Sequence, residues 1–197
     1  MPVNPSELKI KFVKEGQKFP SKVKKPIVGL LHSSHQWTLK YDLKGSPTVP
    51  SFLTVTALRP DIVLFSSSTK TAILIELTCP CEENMPHWHD KKTQNYYALC
   101  SSIRANGWKV HFFAVEVGAR GYCAQSLLSC LRYLGFSNKL SHSISKELSI
   151  MALKCSFDIW MARNSNNCTI DLNNSLNYIS NGSISSFITC ICICNVW

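Results

Sequence analysis

Residues 59–78 read RPDIVLFSSSTKTAILIELT, and this stretch decides the fold of the chain. Two apolar segments, 59–65 and 71–78, flank a short polar segment, which is typical of two β-strands joined by a tight turn. Each apolar segment contains one acidic residue. Asp61 lies in the first and Glu76 in the second, with fourteen residues between them. The sequence therefore predicts a β-hairpin that carries one carboxylate on each strand.

The centre of the turn determines how these carboxylates are placed. If it falls between Ser68 and Thr69, antiparallel pairing puts Asp61 directly opposite Glu76. Opposed residues share a face of the sheet, with Cβ atoms about 4.5–5.5 Å apart. Two carboxylates this close repel each other unless a cation lies between them, and oxygen ligands suit Mg²⁺ or Mn²⁺. The spacing predicts a divalent-metal site.

The surroundings of the two acids favour this hypothesis over a simpler alternative. An Asp or Glu near a strand end is usually solvated or salt-bridged. Here both strands are otherwise almost wholly apolar, which is typical of strands covered on both faces. A charge in such a strand is costly unless it is paired or binds a metal ion.

A lysine on the following helix completes the candidate site. Residues 85–105 are predicted to be helical, and Asn106-Gly107 is a helix stop. The helix has an inward apolar stripe at helical spacing, formed by Tyr96, Leu99 and Ile103. Lys92 lies at the head of this stripe and is expected to point toward the sheet, whereas Lys91 is rotated by about 100° and is expected to face solvent.

Lys92 has two possible roles beside two carboxylates. It can orient or help deprotonate an attacking water and offset charge in a phosphoryl-transfer transition state. Alternatively, it only neutralises an acidic pocket, and the same geometry allows this. We favour a catalytic role.

These residues resemble a known family. Arg59-Pro60-Asp61, Glu76, and Lys92 followed by Tyr96 are similar to the PD-(D/E)XK restriction-like endonuclease superfamily. The similarity is to the endonuclease domains of site-specific non-LTR retrotransposons and related uncharacterised animal sequences, and it spans about residues 9–163. The chain departs from the usual pattern at Thr78, where the superfamily has lysine.

The resemblance implies a fold, an activity and a set of ligands. The fold is an αβββαβ core, and the activity is that of a divalent-metal-dependent DNA endonuclease or nickase, a phosphodiester hydrolase. Asp61, Glu76 and the Leu77 carbonyl would bind Mg²⁺ or Mn²⁺, and Lys92 would position the nucleophilic water. A catalytically inactive nucleic-acid-binding or interaction module with the same fold is the alternative.

The remaining elements predict an α/β fold independently of the resemblance, because strands and helices alternate. Besides the hairpin, the predicted elements are a strand at 37–43, a helix at 86–105, a strand at 109–116, and additional C-terminal helices at 124–134 and 140–162. Gly135 is the expected stop of the first of these C-terminal helices. The second is expected to bury six residues: Leu140, Ile144, Leu148, Met151, Cys155 and Ile159.

Charge divides the chain into three regions. Residues 1–25 form a basic arm with seven lysines and two glutamates, residues 26–163 form the domain, and residues 164–197 form a low-complexity tail expected to be disordered. The net charge of +9 favours a polyanionic partner such as DNA, with affinity dominated by phosphate contacts.

The candidate DNA contacts are four basic side chains: Lys22, Lys24, Lys25 and Arg120. For Arg120 the alternative is a salt bridge to Glu116. Neither possibility is favoured by the sequence.

The sequence predicts a nuclear or cytoplasmic protein with neither a membrane partner nor a small-molecule cofactor. It lacks a secretory signal, and no apolar segment approaches 18 residues. The ten cysteines are then expected to be reduced thiols. Cys79-Pro80-Cys81 and His87-Trp88-His89 are spaced more tightly than most zinc ligands, which favours a loop beside the active site over a zinc cluster.

Overall fold

The computed structural model describes residues 29–42 and 48–163. The basic arm, with Lys22, Lys24 and Lys25, and the C-terminal tail lie outside these ranges. The described elements are the strands β1 (Thr38–Tyr41), β2 (Ile62–Ser66), β3 (Thr71–Thr78) and β4 (Lys109–Glu116), and the helices α1 (Met85–Ala105), α2 (Gln125–Leu134) and α3 (Asn138–Ala162).

The strands form one mixed sheet in the order β1-β2-β3-β4. Strands β1, β2 and β3 are antiparallel neighbours, whereas β4 is parallel to β3. Parallel neighbours need a crossover connection, and α1 provides it between β3 and β4. The predicted α/β class is therefore confirmed.

The hairpin has the predicted register. Ile62 pairs with Ile75 and Ser66 with Thr71, so the turn is centred between Ser68 and Thr69. Continuing the same register by one step places Asp61 opposite Glu76. Alternation along the strands then puts both acidic side chains on one face of the sheet.

Helices cover both faces of the sheet. On one face α1 packs through its buried stripe of Tyr96, Leu99 and Ile103 against side chains that include Val63 and Leu74. On the other face α2 and α3 pack against β3 and β4, with Leu131 and Leu148 in the same apolar cluster as Ile73 and Val115. Asp61 and Glu76 lie on the α1 face, because they are two residues along their strands from Val63 and Leu74.

One predicted core position is wrong. Leu140 is 45% exposed, although Ile144, Leu148 and Cys155 are buried as predicted and Met151 and Ile159 are partly buried. The inward face of α3 begins at buried Ser141 and continues through Ile144 and Leu148. Leu140 is one residue earlier, about 100° around the helix, so it turns away from the sheet.

The helix ends follow from local chemistry. The Ser137 hydroxyl accepts a hydrogen bond from the backbone N–H of Leu140 and caps α3. Gly135 ends α2 in the left-handed conformation with φ 107°, as its position in the sequence predicts. Within the described ranges, no helix combines the length and the apolar character needed to cross a membrane.

Candidate active site

Asp61 lies just before β2, at the end of the hairpin away from the turn. Its side chain is buried, with 6% of the residue exposed. One carboxylate oxygen, Oδ2, accepts a hydrogen bond of 2.7 Å from the backbone N–H of Leu77. The backbone carbonyl of Asp61 accepts another from the N–H of Asp42, which follows β1. Asp61 is therefore held in place by both neighbouring strands.

Glu76 lies near the end of β3 and is buried more deeply, with 3% exposed. Its Oε1 accepts a hydrogen bond from Lys92 Nζ at 2.5 Å. Its Oε2 is buried and has no hydrogen-bond partner among the described residues. A buried carboxylate oxygen without a donor is energetically costly, so this atom is a ready ligand for a cation.

The two neighbouring lysines of α1 separate as the helical periodicity predicts. Lys92 points toward the sheet, and its side chain is 20% exposed. Lys91 is exposed, and its ammonium lies 4.4 Å from the centre of the Trp88 ring. Only Lys92 of this pair contacts an acidic residue of the candidate site.

Tyr96 lies one helical turn after Lys92, and it is buried beneath the site. Burial raises the pKa of its hydroxyl strongly, and the charge of Glu76, a hydrogen bond to the Glu76 carboxylate and the charge of Asp61 raise it further. The Tyr96 hydroxyl therefore stays protonated and can donate a hydrogen bond. The continued register of the hairpin places Asp61 opposite Glu76 on the face that α1 covers, so both carboxylates lie on the same side of the sheet as Tyr96.

The residues present fit a divalent cation. In an antiparallel pair the N–H and C=O of a residue point toward the same neighbouring strand, so the Leu77 carbonyl points toward β2 like its N–H. The continued register places Pro60 opposite Leu77, and proline has no N–H to donate. The Leu77 carbonyl, Asp61 and Glu76 Oε2 together offer three oxygen ligands of the kind that Mg²⁺ and Mn²⁺ prefer.

The three proposed oxygen ligands include the Leu77 backbone carbonyl, because only two acidic side chains of the described residues, Asp61 and Glu76, are available at this position. Among residues 29–42 and 48–163, no group of three or more His, Cys, Asp or Glu side chains is arranged to hold a metal ion. The same holds for the cysteine–histidine segment, since Cys79, Cys81, His87 and His89 form no such group among these described residues. Cys79 is buried and its pKa is raised to about 11, chiefly by burial.

A third buried carboxylate on the α1 face was missed by the sequence analysis. Glu116, the last residue of β4, is 2% exposed. Its Oε1 lies 2.9 Å from His89 Nδ1 of α1, and its Oε2 accepts a hydrogen bond from the Ser126 hydroxyl of α2 at 2.5 Å. The sequence shows only that Glu116 ends an apolar strand and that His89 lies three residues before Lys92, and neither position predicts that the two side chains meet.

Arg120 contacts different acids from the one considered in the sequence analysis. Its guanidinium lies 2.7 Å from Glu82 and 2.8 Å from Glu83, whereas Glu116 contacts His89 and Ser126. The alternative of an Arg120–Glu116 salt bridge is therefore wrong. Gly118 makes the contact possible, because a Cβ atom there would lie 2.5 Å from the Glu82 carboxylate. The role of Arg120 in DNA binding remains a prediction.

No family model matches the chain, and no match to it was found among the curated proteins or the solved structures.

Proposed function

We propose that this domain is a divalent-metal-dependent DNA endonuclease or nickase, with Asp61, Glu76 and Lys92 as its catalytic residues. The observation that carries the proposal is the Glu76 carboxylate, which is buried, bonded to Lys92 through Oε1 and, among the residues that the structure describes, without a hydrogen-bond partner at Oε2. A second buried carboxylate, Asp61, lies on the neighbouring strand opposite Glu76, and a divalent cation would offset the charge of both. A metal-dependent phosphodiesterase needs both acids and the lysine.

Each residue has a distinct task in this proposal. Asp61, Glu76 and the Leu77 carbonyl hold the cation. When bound, a divalent cation lowers the pKa of the attacking water and stabilises the negative charge of the phosphate. The Lys92 ammonium orients that water and offsets negative charge as the phosphorus–oxygen bond breaks. The protonated Tyr96 hydroxyl maintains a donor beneath the two carboxylates.

The chain's positive charge supports DNA as the substrate. Net charge is +9, and residues 1–25 alone have a surplus of five positive charges. The proposed phosphate contacts in the basic arm are Lys22, Lys24 and Lys25. The exposed guanidinium of Arg120 is proposed to bind a phosphate after its ion pairs with Glu82 and Glu83 break. Phosphate contacts of this kind supply affinity without sequence readout.

The order of the described elements is compatible with a restriction-endonuclease-like core. Three antiparallel strands, a crossover helix and a parallel strand follow one another from β1 to β4. This order, with the Arg59-Pro60-Asp61, Glu76 and Lys92 motif, supports a relationship to the endonucleases of non-LTR retrotransposons. We include an origin in such an element in the proposal.

Nicking of supercoiled plasmid tests the proposed activity. The full chain is incubated with plasmid in Mg²⁺, in Mn²⁺ and in EDTA, beside an Asp61→Asn variant purified in the same way. The proposal expects open-circular product with a divalent cation, none in EDTA, and none from the variant. DNA binding without nicking in any condition would instead identify a catalytically inactive DNA-binding module.

A further inference from the structure

Glu116, His89 and Ser126 form a second polar cluster beside the candidate active site. Glu116 lies on β4 two residues beyond Ala114, the residue that pairs with Glu76 on β3. Paired residues of neighbouring strands share a face, and so do residues two apart on one strand. The Glu116 side chain is therefore on the α1 face, as Glu76 is.

The cluster fixes which nitrogen of His89 carries a proton. A carboxylate only accepts hydrogen bonds, and the Ser126 hydroxyl donates to its Oε2. The contact of 2.9 Å between Oε1 and His89 Nδ1 therefore requires the proton on Nδ1. His89 Nε2 is left for another partner, and the side chain is 44% exposed while that of Glu116 is 3% exposed.

This arrangement differs from that of an ordinary surface ion pair. A buried carboxylate that is hydrogen-bonded at both oxygens orients the imidazole beside it, as in catalytic carboxylate–histidine pairs. When both ring nitrogens are protonated, Nε2 at the exposed edge of the ring carries a proton that can be transferred. On α1, His89 precedes Lys92 by three residues, so the two side chains are neighbours on one helix face, with Cβ atoms about 5–6 Å apart.

We propose that His89 is the general acid of the reaction, an inference that rests on the proposed nuclease function. The oxygen of the attacking water forms a bond to phosphorus, and the bond between phosphorus and the leaving deoxyribose oxygen breaks. The electron pair of that bond stays on the leaving oxygen, which takes the Nε2 proton of His89 in its doubly protonated form. The water releases its proton to solvent, and the neutral imidazole regains a proton from solvent. Glu116 and Ser126 are positioning residues.

His89→Asn separates this role from a structural one. The asparagine amide nitrogen lies near the position of Nδ1, so the variant keeps a donor to Glu116 but has no proton at the position of Nε2. Lys91→Ala is the matched control, because Lys91 is a cation on the same helix that faces away from the site. General acid–base catalysis contributes about 10²–10⁴-fold in rate, so His89→Asn is expected to slow cleavage by that factor.

A change of leaving group tests the proton transfer itself. At a nick site mapped with the unaltered protein, sulfur replaces the bridging oxygen that leaves, in an otherwise identical duplex. A thiolate is a much weaker base than an alkoxide and departs without a proton. His89→Asn should therefore cut the sulfur substrate as fast as the unaltered protein does, while it remains slow on the oxygen substrate.

Three other outcomes would overturn the inference. If His89→Asn is equally slow on both substrates, or slow on neither, His89 is not the general acid, although the nuclease proposal survives. If the unaltered protein cuts neither substrate with Mg²⁺ or Mn²⁺, the nuclease proposal itself fails and the inference falls with it.

A measurement on the metal-free protein completes the test. Long-range proton–nitrogen correlation spectra should show His89 Nδ1 carrying its proton and hydrogen-bonded, with both signatures altered in Glu116→Gln. An Nδ1 without a proton in the unaltered protein would contradict the arrangement on which the proton transfer depends.

Discussion

Replacing Lys92 by methionine should destabilise the metal-free protein markedly. Methionine keeps the length and apolar character of the lysine stem and removes only the ammonium. Glu76, 3% exposed, then loses the donor to Oε1, while its Oε2 already has none among the described residues. Asp61, also buried on the opposed strand, remains next to it.

The expected size follows from the burial of the pair. Removing one partner of a buried ion pair costs about 3–5 kcal/mol, because the other charge stays buried without compensation. Lys92 is 20% exposed, so water screens part of the interaction and the lower figure of about 3 kcal/mol applies. For a domain of this size each kcal/mol lowers Tm by about 2–4 °C, which gives a decrease of about 6–12 °C.

Thermal and urea unfolding in EDTA, followed by circular dichroism, measure this loss. Lys91→Met is the matched control, since that lysine is exposed and contacts only the Trp88 ring among the interactions described, and its loss should stay below about 1 kcal/mol. Mn²⁺ should restore much of the stability of Lys92→Met by compensating the same two carboxylates. A loss below about 1 kcal/mol for Lys92→Met, the range of exposed ion pairs, would refute the description of a buried, charge-dense site.

Three further predictions concern other parts of the chain. Deleting residues 165–197 should leave folding and cleavage intact, because the catalytic groups and the described core elements precede them; loss of the unfolding transition would place the domain boundary elsewhere. Deleting residues 1–25 should weaken DNA binding and flatten its salt dependence between about 50 and 200 mM, measured by fluorescence anisotropy; an unchanged slope would exclude the basic arm from phosphate contact. Burial raises the pKa of Cys79 to about 11 and that of Cys130 to about 12, from 9.0 for an ordinary thiol. The unfolded chain therefore loses these protons first, and stability should fall as the pH rises above about 9. Urea unfolding at about pH 8 and pH 10 checks this, with Cys130→Ala expected to reduce the fall.

The hairpin and the lysine could be predicted from sequence because each depends on local periodicity. The register follows from two apolar segments around a turn at Ser68 and Thr69, and one shift in that register would have moved both acids to the opposite face. The choice of Lys92 over Lys91 follows from the apolar stripe of α1, since one residue rotates a side chain by about 100°.

The features that were missed depend on contacts between distant segments. The Glu116–His89 contact requires the position of β4 relative to α1, and the spacing of residues along either segment does not contain it. The salt-bridge partner considered for Arg120 was Glu116, the acid nearest in sequence. The turn after β4 instead places the Arg120 guanidinium against Glu82 and Glu83. Leu140 was assigned to the core because it extends a pattern in α3, but the helix meets its neighbours only from Ser141 onward.

The most direct test of the central claim is Mn²⁺ binding to the metal-free protein, measured by isothermal titration calorimetry without DNA. The account predicts binding to the unaltered protein, its loss in Glu76→Gln, and unchanged binding in Glu147→Gln, which removes an exposed carboxylate from α3. Absence of binding to the unaltered protein, or equal binding to the Glu76→Gln variant, would contradict the assignment of Asp61, Glu76 and Leu77 as a metal site.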